Sequence, residues 1–387
     1  MTNKALRIWT WLHTWSSLVC TVFMLLLCLT GLPLIFHHEI GHLLGTEVEA
    51  PALPADAPRA SLDTVLAAGQ ARAPGLVPTF LFQEPDETDT WLVGFAPTPM
   101  AQEGTKFVVV DARTGLALGE PPAEEGFIYV MFKLHVDLFA GLPGKLFLGL
   151  MGLLMVVAIV SGVVLYAPFM RKLPFGAVRR DRSTRLKWLD LHNLLGVVTL
   201  CWALVVGLTG VINTWADLVI KLWQYDQLST VMAPYQKLPP PTSLSSVQAA
   251  ATAAQRTEPA MRVGFISFPG TQLSSPHHYG VFMRGTEPVS ARLFKPVMVD
   301  AQTTQVTSAL DLPWYVTALL VSQPLHFGDY GGRPMQILWA VLDIITIVVL
   351  GSGLYLWFSR RRAREQRVAS PWAEVETSAD AMEGAAR

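Results

Sequence analysis

Four long apolar stretches interrupt an otherwise mixed pattern of polar and hydrophobic positions. No acidic or basic side chain falls between Arg7 and Glu39, between Lys145 and Arg171, or between Asp190 and Asp217, and from Pro334 to Ser359 the only one is Asp343. A helix crossing a hydrocarbon core of about 30 Å needs about 20 such residues, so the pattern predicts four transmembrane helices. The segments between helices one and two, and between three and four, read differently. Each has a Pro-rich lead (Pro51 to Pro58; Pro239 to Pro241), an Ala-rich helical stretch (Ser61 to Ala73; Ser246 to Ala254) and short β-like runs. Those runs include Trp91 to Phe95, Phe107 to Val110, Gly264 to Phe268 and Pro296 to Val299. The polar tail from Arg364 to Arg387 reads as disordered.

Composition agrees with a membrane protein: 51% of residues are hydrophobic and only 15% charged, with a mean hydropathy of +0.37. A net charge of -1 gives no reason to expect a nucleic-acid partner. Lys4 and Arg7 resemble the start of a signal peptide, but the apolar run is too long and lacks a small-residue cleavage site, so it reads as a retained anchor. Seven Lys/Arg lie between Arg171 and Lys187, and both termini are basic. The positive-inside rule puts these three segments in the cytoplasm and the two β-containing segments outside, in the periplasm of a Gram-negative inner membrane. Cys20, Cys28 and Cys201 sit singly in apolar runs and read as buried core thiols, not as an iron–sulfur, zinc or disulfide set.

The chain repeats itself. Leu12-His13 recurs as Leu191-His192, Leu29-Thr30-Gly31 as Leu208-Thr209-Gly210 and Val110-Asp111-Ala112 as Val299-Asp300-Ala301. Leu134-His135 recurs as Leu325-His326, Pro143 as Pro334 and Ser161-Gly162 as Ser352-Gly353. Each half is helix, outer domain, helix, and two spans per half give both halves the same orientation, related by an axis along the membrane normal.

Of nine histidines, four recur: His13 with His192 near the cytoplasmic ends of helices one and three, and His135 with His326 ahead of helices two and four. Paired imidazoles at two levels of a membrane are what bis-His ligation of two haems requires. Glycines on the same helices, among them Gly31, Gly152, Gly162, Gly196 and Gly210, leave room for a flat macrocycle. Zinc needs further ligands, and the nearby carboxylates Asp190 and Asp137 do not recur; they read as outer partners or surface charges. Lys145 and Arg333 flank the outer pair as haem-propionate partners or interfacial anchors. Asp343, an acid within an apolar helix, reads as a proton relay, a quinol contact or an interhelical hydrogen bond.

His38-Glu39-Ile40-Gly41-His42 is a literal H-E-x-x-H, the pattern of zinc peptidases. No distant N-P-D-G ligand accompanies it and it does not recur in the second half, so it reads as an interfacial helix end, with a membrane zinc peptidase as the lesser alternative. His277-His278, beside Tyr279 and Met283, reads as a surface loop, with contact to iron or its carrier as the lesser alternative.

The repeated L-H, the L-T-G at the far ends of helices one and three, the L-H-x7-P leads, the S-G-x-x-L-[YW] exits and the D-A-x-T turns together resemble the PepSY-associated transmembrane proteins, over residues 5 to 362. The second turn departs slightly, with Thr304 where the first has Gly115. Within the family the chain is most similar to the ferric-siderophore reductase branch. The fold this implies is a membrane all-α four-helix bundle of two parallel helix–domain–helix repeats, with two periplasmic α+β PepSY-like domains. The expected divisions are 1–36 (helix 1), 37–126 (first periplasmic domain), 127–170 (outer helix and helix 2) and 171–187 (cytoplasmic loop). They continue as 188–215 (helix 3), 216–312 (second periplasmic domain), 313–359 (outer helix and helix 4) and 360–387 (cytoplasmic tail).

The resemblance implies two haem b groups on His13, His192, His135 and His326, and an activity that carries electrons to a periplasmic Fe(III)–siderophore of the hydroxamate, ferrioxamine-like type. Fe(II) binds hard hydroxamate oxygens far less strongly than Fe(III), so reduction releases the metal. No G-x-G-x-x-G follows a strand, so the expected donor is quinol or a cytoplasmic or membrane reductase. The alternative from the binding class is a haem-free siderophore-binding or permease component.

Overall fold

The computed structural model of the chain describes residues 2–54, 56–101, 103–121, 124–170, 174–287 and 290–384. Arg171 and Lys172 of the basic loop lie outside them. The described chain divides into two compact units: 1–32, 147–211 and 337–387 form one, and 33–146 with 212–336 form the other.

The first unit is helical. Its elements are α1 (Asn3–Ile35), α5 (Gly141–Met170), α6 (Thr184–Thr214) and α11 (Gly332–Gly384), all long and apolar enough to cross a membrane. Many of their apolar side chains, such as Val19, Val22, Leu150, Val160, Val198 and Ile344, are exposed and others are only partly buried, as lipid contact requires. Among the buried positions, Cys20, Met24 and Met151 pack together, and Ser16, Thr21, Thr199 and Thr346 each donate to the carbonyl four residues earlier. Those internal bonds let hydroxyls lie between helices without an unpaired donor. Cys201, expected in the core, is exposed on α6; a span needs an apolar outer face as well as an apolar inner one. The helix α11 continues past Arg360–Arg362 to Gly384, through the tail whose composition reads as disordered; helix-forming Ala, Glu, Arg and Gln dominate there.

The second unit holds the remaining elements. In chain order they are α2 (His37–Leu44), α3 (Leu62–Arg72), β1 (Val77–Phe82), β2 (Thr90–Ala96), β3 (Lys106–Asp111), β4 (Ala117–Gly119) and α4 (Gly126–Val136). After the gap come α7 (Ala216–Trp223), a π-helical turn (Gln224–Leu228), α8 (Ser229–Met232), α9 (Val247–Thr257), β5 (Arg262–Ser267), β6 (His278–Arg284), β7 (Phe294–Asp300), β8 (Val306–Ser308) and α10 (Trp314–Phe327).

The two β-containing segments were expected as separate domains; they form one eight-stranded antiparallel sheet, ordered β4-β3-β2-β1-β5-β6-β7-β8. The join is β1 against β5, with Phe80 opposite Ser267, Leu81 opposite Ile266 and Phe82 opposite Phe265. Pairing the two inner strands satisfies edges that each half would otherwise expose. Helices α3 and α9 cover one face over a shared core that includes Val65, Leu81, Phe95, Ala250, Ile266 and Val281. Their N-termini cap one another. Asp63 of α3 accepts from Val247 N (2.9 Å) and Ser246 Oγ (2.5 Å), and Gln248 of α9 accepts from Leu62 N (2.8 Å). The D-A-x-T turns are also explained: Asp111 Oδ1 accepts from Arg113 N and Thr114 N, and Asp300 Oδ1 from Gln302 N and Thr303 N. The next residue, Gly115 or Thr304, then takes a left-handed conformation (φ 71° and 59°).

Candidate functional site

In the helical unit the recurring histidines and the recurring Ser-Gly pairs meet. On α1, His13 Nδ1 lies 2.9 Å from Ala158 O and 3.3 Å from Ser161 Oγ of α5. On α6, His192 Nδ1 lies 3.1 Å from Val349 O and 2.9 Å from Ser352 Oγ of α11. Ser161 and Ser352 donate to carbonyls of their own helices, Val157 O at 2.7 Å and Val349 O at 2.8 Å. A carbonyl oxygen only accepts, so each imidazole donates from Nδ1 and keeps the lone pair on Nε2, the tautomer a metal ligand needs. The adjoining glycines leave room for the rings: a Cβ on Gly162 would lie 3.1 Å from His13 Cε1, and one on Gly353 3.5 Å from His192 Cε1. The sequence shows Ser161-Gly162 and Ser352-Gly353 recurring, but not that they grip the histidines.

Asp343 is buried on α11, where it meets the Cys28 thiol of α1, and its Oδ2 has no partner among the described residues. Asp190 does not serve His192; it takes three hydrogen bonds from Arg179, from its N, Nε and Nη2.

In the sheet unit His135, near the end of α4, and His326, near the end of α10, face one another with ring centroids 6.1 Å apart and planes inclined at 62°. Two imidazole nitrogens each about 2 Å from one metal ion put the ring centroids about 6 Å apart, so the spacing fits bis-imidazole ligation. The turn after His135 is strained, with Leu138 and Phe139 in the left-handed region (φ 55° and 59°); after His326 the corresponding place begins with Gly328 (φ 71°). Asp137 pairs with Lys133 and accepts from Phe139 N. Lys145 pairs with Asp217 at 2.8 Å and Arg333 with Glu39, so both cations read as propionate partners already hold a carboxylate.

The H-E-x-x-H segment is α2, and its parts diverge. His38 bonds to Glu47, His42 pairs with Glu49, and Glu39, which a peptidase would use on water, is held by Arg333. His278, read as surface loop, opens strand β6 and is 1% exposed, with Ser275 Oγ at 2.5 Å from Nδ1. Burial lowers its basicity. The reading failed because His277-His278 lies beside turn residues, while β6 is buried along its whole length.

The chain is 27% identical over 252 residues to the uncharacterised protein PA4219 of Pseudomonas aeruginosa, an alignment covering 60% of this chain and 63% of that protein. The model of the PepSY-associated TM region matches residues 10–360, which takes in all four long helices and both halves of the sheet. The chain therefore belongs to the PepSY-associated transmembrane family.

Proposed function

We propose that this chain is an inner-membrane di-haem reductase that carries electrons across the membrane to a periplasmic Fe(III)–siderophore of hydroxamate type and releases iron as Fe(II). The observation that carries this reading is the twofold grip on His13 and His192: the same Nδ1 contacts to a carbonyl and a serine, and the same glycine beside the ring, in both halves. A histidine kept only for packing has no need of a fixed tautomer, whereas an iron ligand does.

In this reading His13 and His192 hold one haem b, and His135 and His326 hold the other. When bound, haem would supply one-electron chemistry at a potential set by the imidazoles that hold it and by its apolar surroundings. The chain orients the imidazoles, keeps Nε2 unprotonated and excludes water from the helical unit. The electrons come from a quinol, which gives up two electrons and two protons and so serves two Fe(III) complexes, or from a cytoplasmic or membrane reductase. The Fe(III) complex gains one electron and loses affinity for its oxygen ligands, and no covalent bond to protein forms. The basic 171–187 loop and termini face the cytoplasm, which leaves the sheet unit on the periplasmic side.

The test is the dithionite-reduced minus oxidised visible spectrum of the purified protein, with haem counted per chain, for wild type, His192→Ala and His326→Ala. Two low-spin b-type haems, a different one lost in each variant, are expected, followed by turnover of Fe(III)–hydroxamates by the reduced protein. A well-folded preparation without haem overturns the reading.

A further inference from the structure

The sheet unit contains a cluster that the electron path does not use. His38 on α2, Glu47 in the segment that follows, and Glu87 between β1 and β2 bring one imidazole nitrogen and two carboxylate oxygens within 4.8 Å of one another. His38 Nδ1 lies 3.0 Å from Glu47 Oε1 and 3.5 Å from Glu87 Oε1. Glu84 also acts on His38 with its charge. Among the described residues, no Lys or Arg forms an ion pair with Glu47 or Glu87, so several carboxylates converge on one imidazole and leave negative charge in excess. A Cβ on Gly41 would lie 2.5 Å from Glu47 Oε2, so the glycine of the H-E-x-x-H segment makes room for that carboxylate.

The donor set points to a class of cation. One imidazole with carboxylate oxygens suits a divalent first-row cation such as Fe(II) or Mn(II); Mg(II) and Ca(II) prefer oxygen alone, and structural zinc prefers more nitrogen or sulfur. The side chains are partly exposed, at 36%, 25% and 48% for His38, Glu47 and Glu87, which leaves water to complete the coordination. The set is also distinct from the peptidase pattern. It takes one histidine of the pair and two glutamates from outside the motif, while His42 and Glu39 are held by Glu49 and Arg333.

We propose that His38, Glu47 and Glu87 form a binding site for a divalent first-row transition-metal ion and that Fe(II), the product of siderophore reduction, is its cargo. The cation site rests on the cluster; naming Fe(II) as cargo rests on the reductase reading. A site of this composition takes the ion as it leaves the siderophore and competes with its reoxidation and recapture.

The experiment uses full-length protein in lipid nanodiscs, with haem counted on each sample. Mn(II) serves as the probe, since it is stable in air and the free ion is counted by its electron paramagnetic resonance signal. Wild type is expected to bind one equivalent; His38→Ala and Glu87→Gln are expected to weaken binding by about tenfold or more, and His42→Ala to leave it within about twofold. Anaerobic Fe(II) is expected to displace the bound Mn(II). Absence of a stoichiometric site in haem-replete wild type, or unchanged binding in both variants, overturns the site while leaving the reductase reading intact. A loss in His42→Ala equal to that in His38→Ala overturns the ligand set. Failure of Fe(II) to displace Mn(II), or Mn(II) binding by a haem-free protein, overturns Fe(II) as cargo. Thermal unfolding of each variant separates loss of the ligand from loss of the fold.

Discussion

In the helical unit His13 and His192 make the same contacts to equivalent atoms of α5 and α11. In the sheet unit strands, turns and covering helices also recur, but the opposite face differs. The second half buries Trp223, Leu228 and Val316, from α7, the π-helical turn and α10, against Phe282 and Met298. By register, Phe282 stands where the first half has Gly94, and the counterpart of α7 is the short α2, with three histidines and a glutamate among its eight residues. The two halves therefore agree in the histidine, serine and glycine positions of the helical unit, and differ in one helix, which is apolar packing in one half and a cluster of acids and imidazoles in the other. A site that appears once is sought where the halves disagree.

The largest effect is expected where they agree most. Gly162→Leu and Gly353→Leu each drive a side chain into an imidazole, and under the di-haem proposal each is expected to remove roughly half of the haem, the share of one bis-His site in two. Alanine separates the two positions. A Cβ at 3.1 Å from the His13 ring must displace it slightly, whereas one at 3.5 Å from His192 makes ordinary contact. Gly162→Ala is thus expected to shift the reduced haem spectrum and Gly353→Ala to leave it unchanged. Equal behaviour of the two alanine variants would break the geometric argument.

Next in size is the mutual cap of α3 and α9. The charged Asp63 accepts from two backbone amides and a hydroxyl of the second half, whereas Gln248 returns one neutral bond to Leu62 N. Asp63→Ala is expected to cost the sheet unit about 2 kcal/mol and Gln248→Ala about 1 kcal/mol. Chemical denaturation followed by fluorescence measures both, and a larger loss in Gln248→Ala would reverse the assigned asymmetry.

The four spans were legible because uncharged runs of that length have few other uses, and the duplication was legible because histidines, glycines and prolines recur in order. Other features left no local trace. Strand β1 contains Pro78, and β6 is buried on both faces, so neither alternates. That two segments share one sheet depends on the pairing of β1 with β5, made between residues far apart in the chain. The serine partners of His13 and His192 need knowledge of which helices are neighbours. His38, Glu47 and Glu87 have no motif spacing, and the peptidase-like pattern contains only one of the three.

The smallest expected effect concerns a position where the halves differ in chemistry. Tyr279 of β6 occupies the register position of Trp91 in β2. Its hydroxyl donates to Ser245 O at 2.8 Å, and burial, with the charge of Asp63, pushes its pKa up to about 12. An unfolded tyrosine loses its proton near pH 10. Between these values the folded chain holds a proton that the unfolded chain has released, so stability falls as pH rises, by about 1.4 kcal/mol per unit for this one group. Tyr279→Phe removes the hydrogen bond, at about 1 kcal/mol near neutrality, and with it the titration. Wild type should therefore be the more stable protein at pH 8, and the difference should close near pH 11 as the wild-type contribution is lost. Denaturation midpoints across that range decide the matter: parallel curves for the two proteins would show that the Tyr279 hydroxyl reaches solvent, and that its register position is no more enclosed than the edge of the sheet.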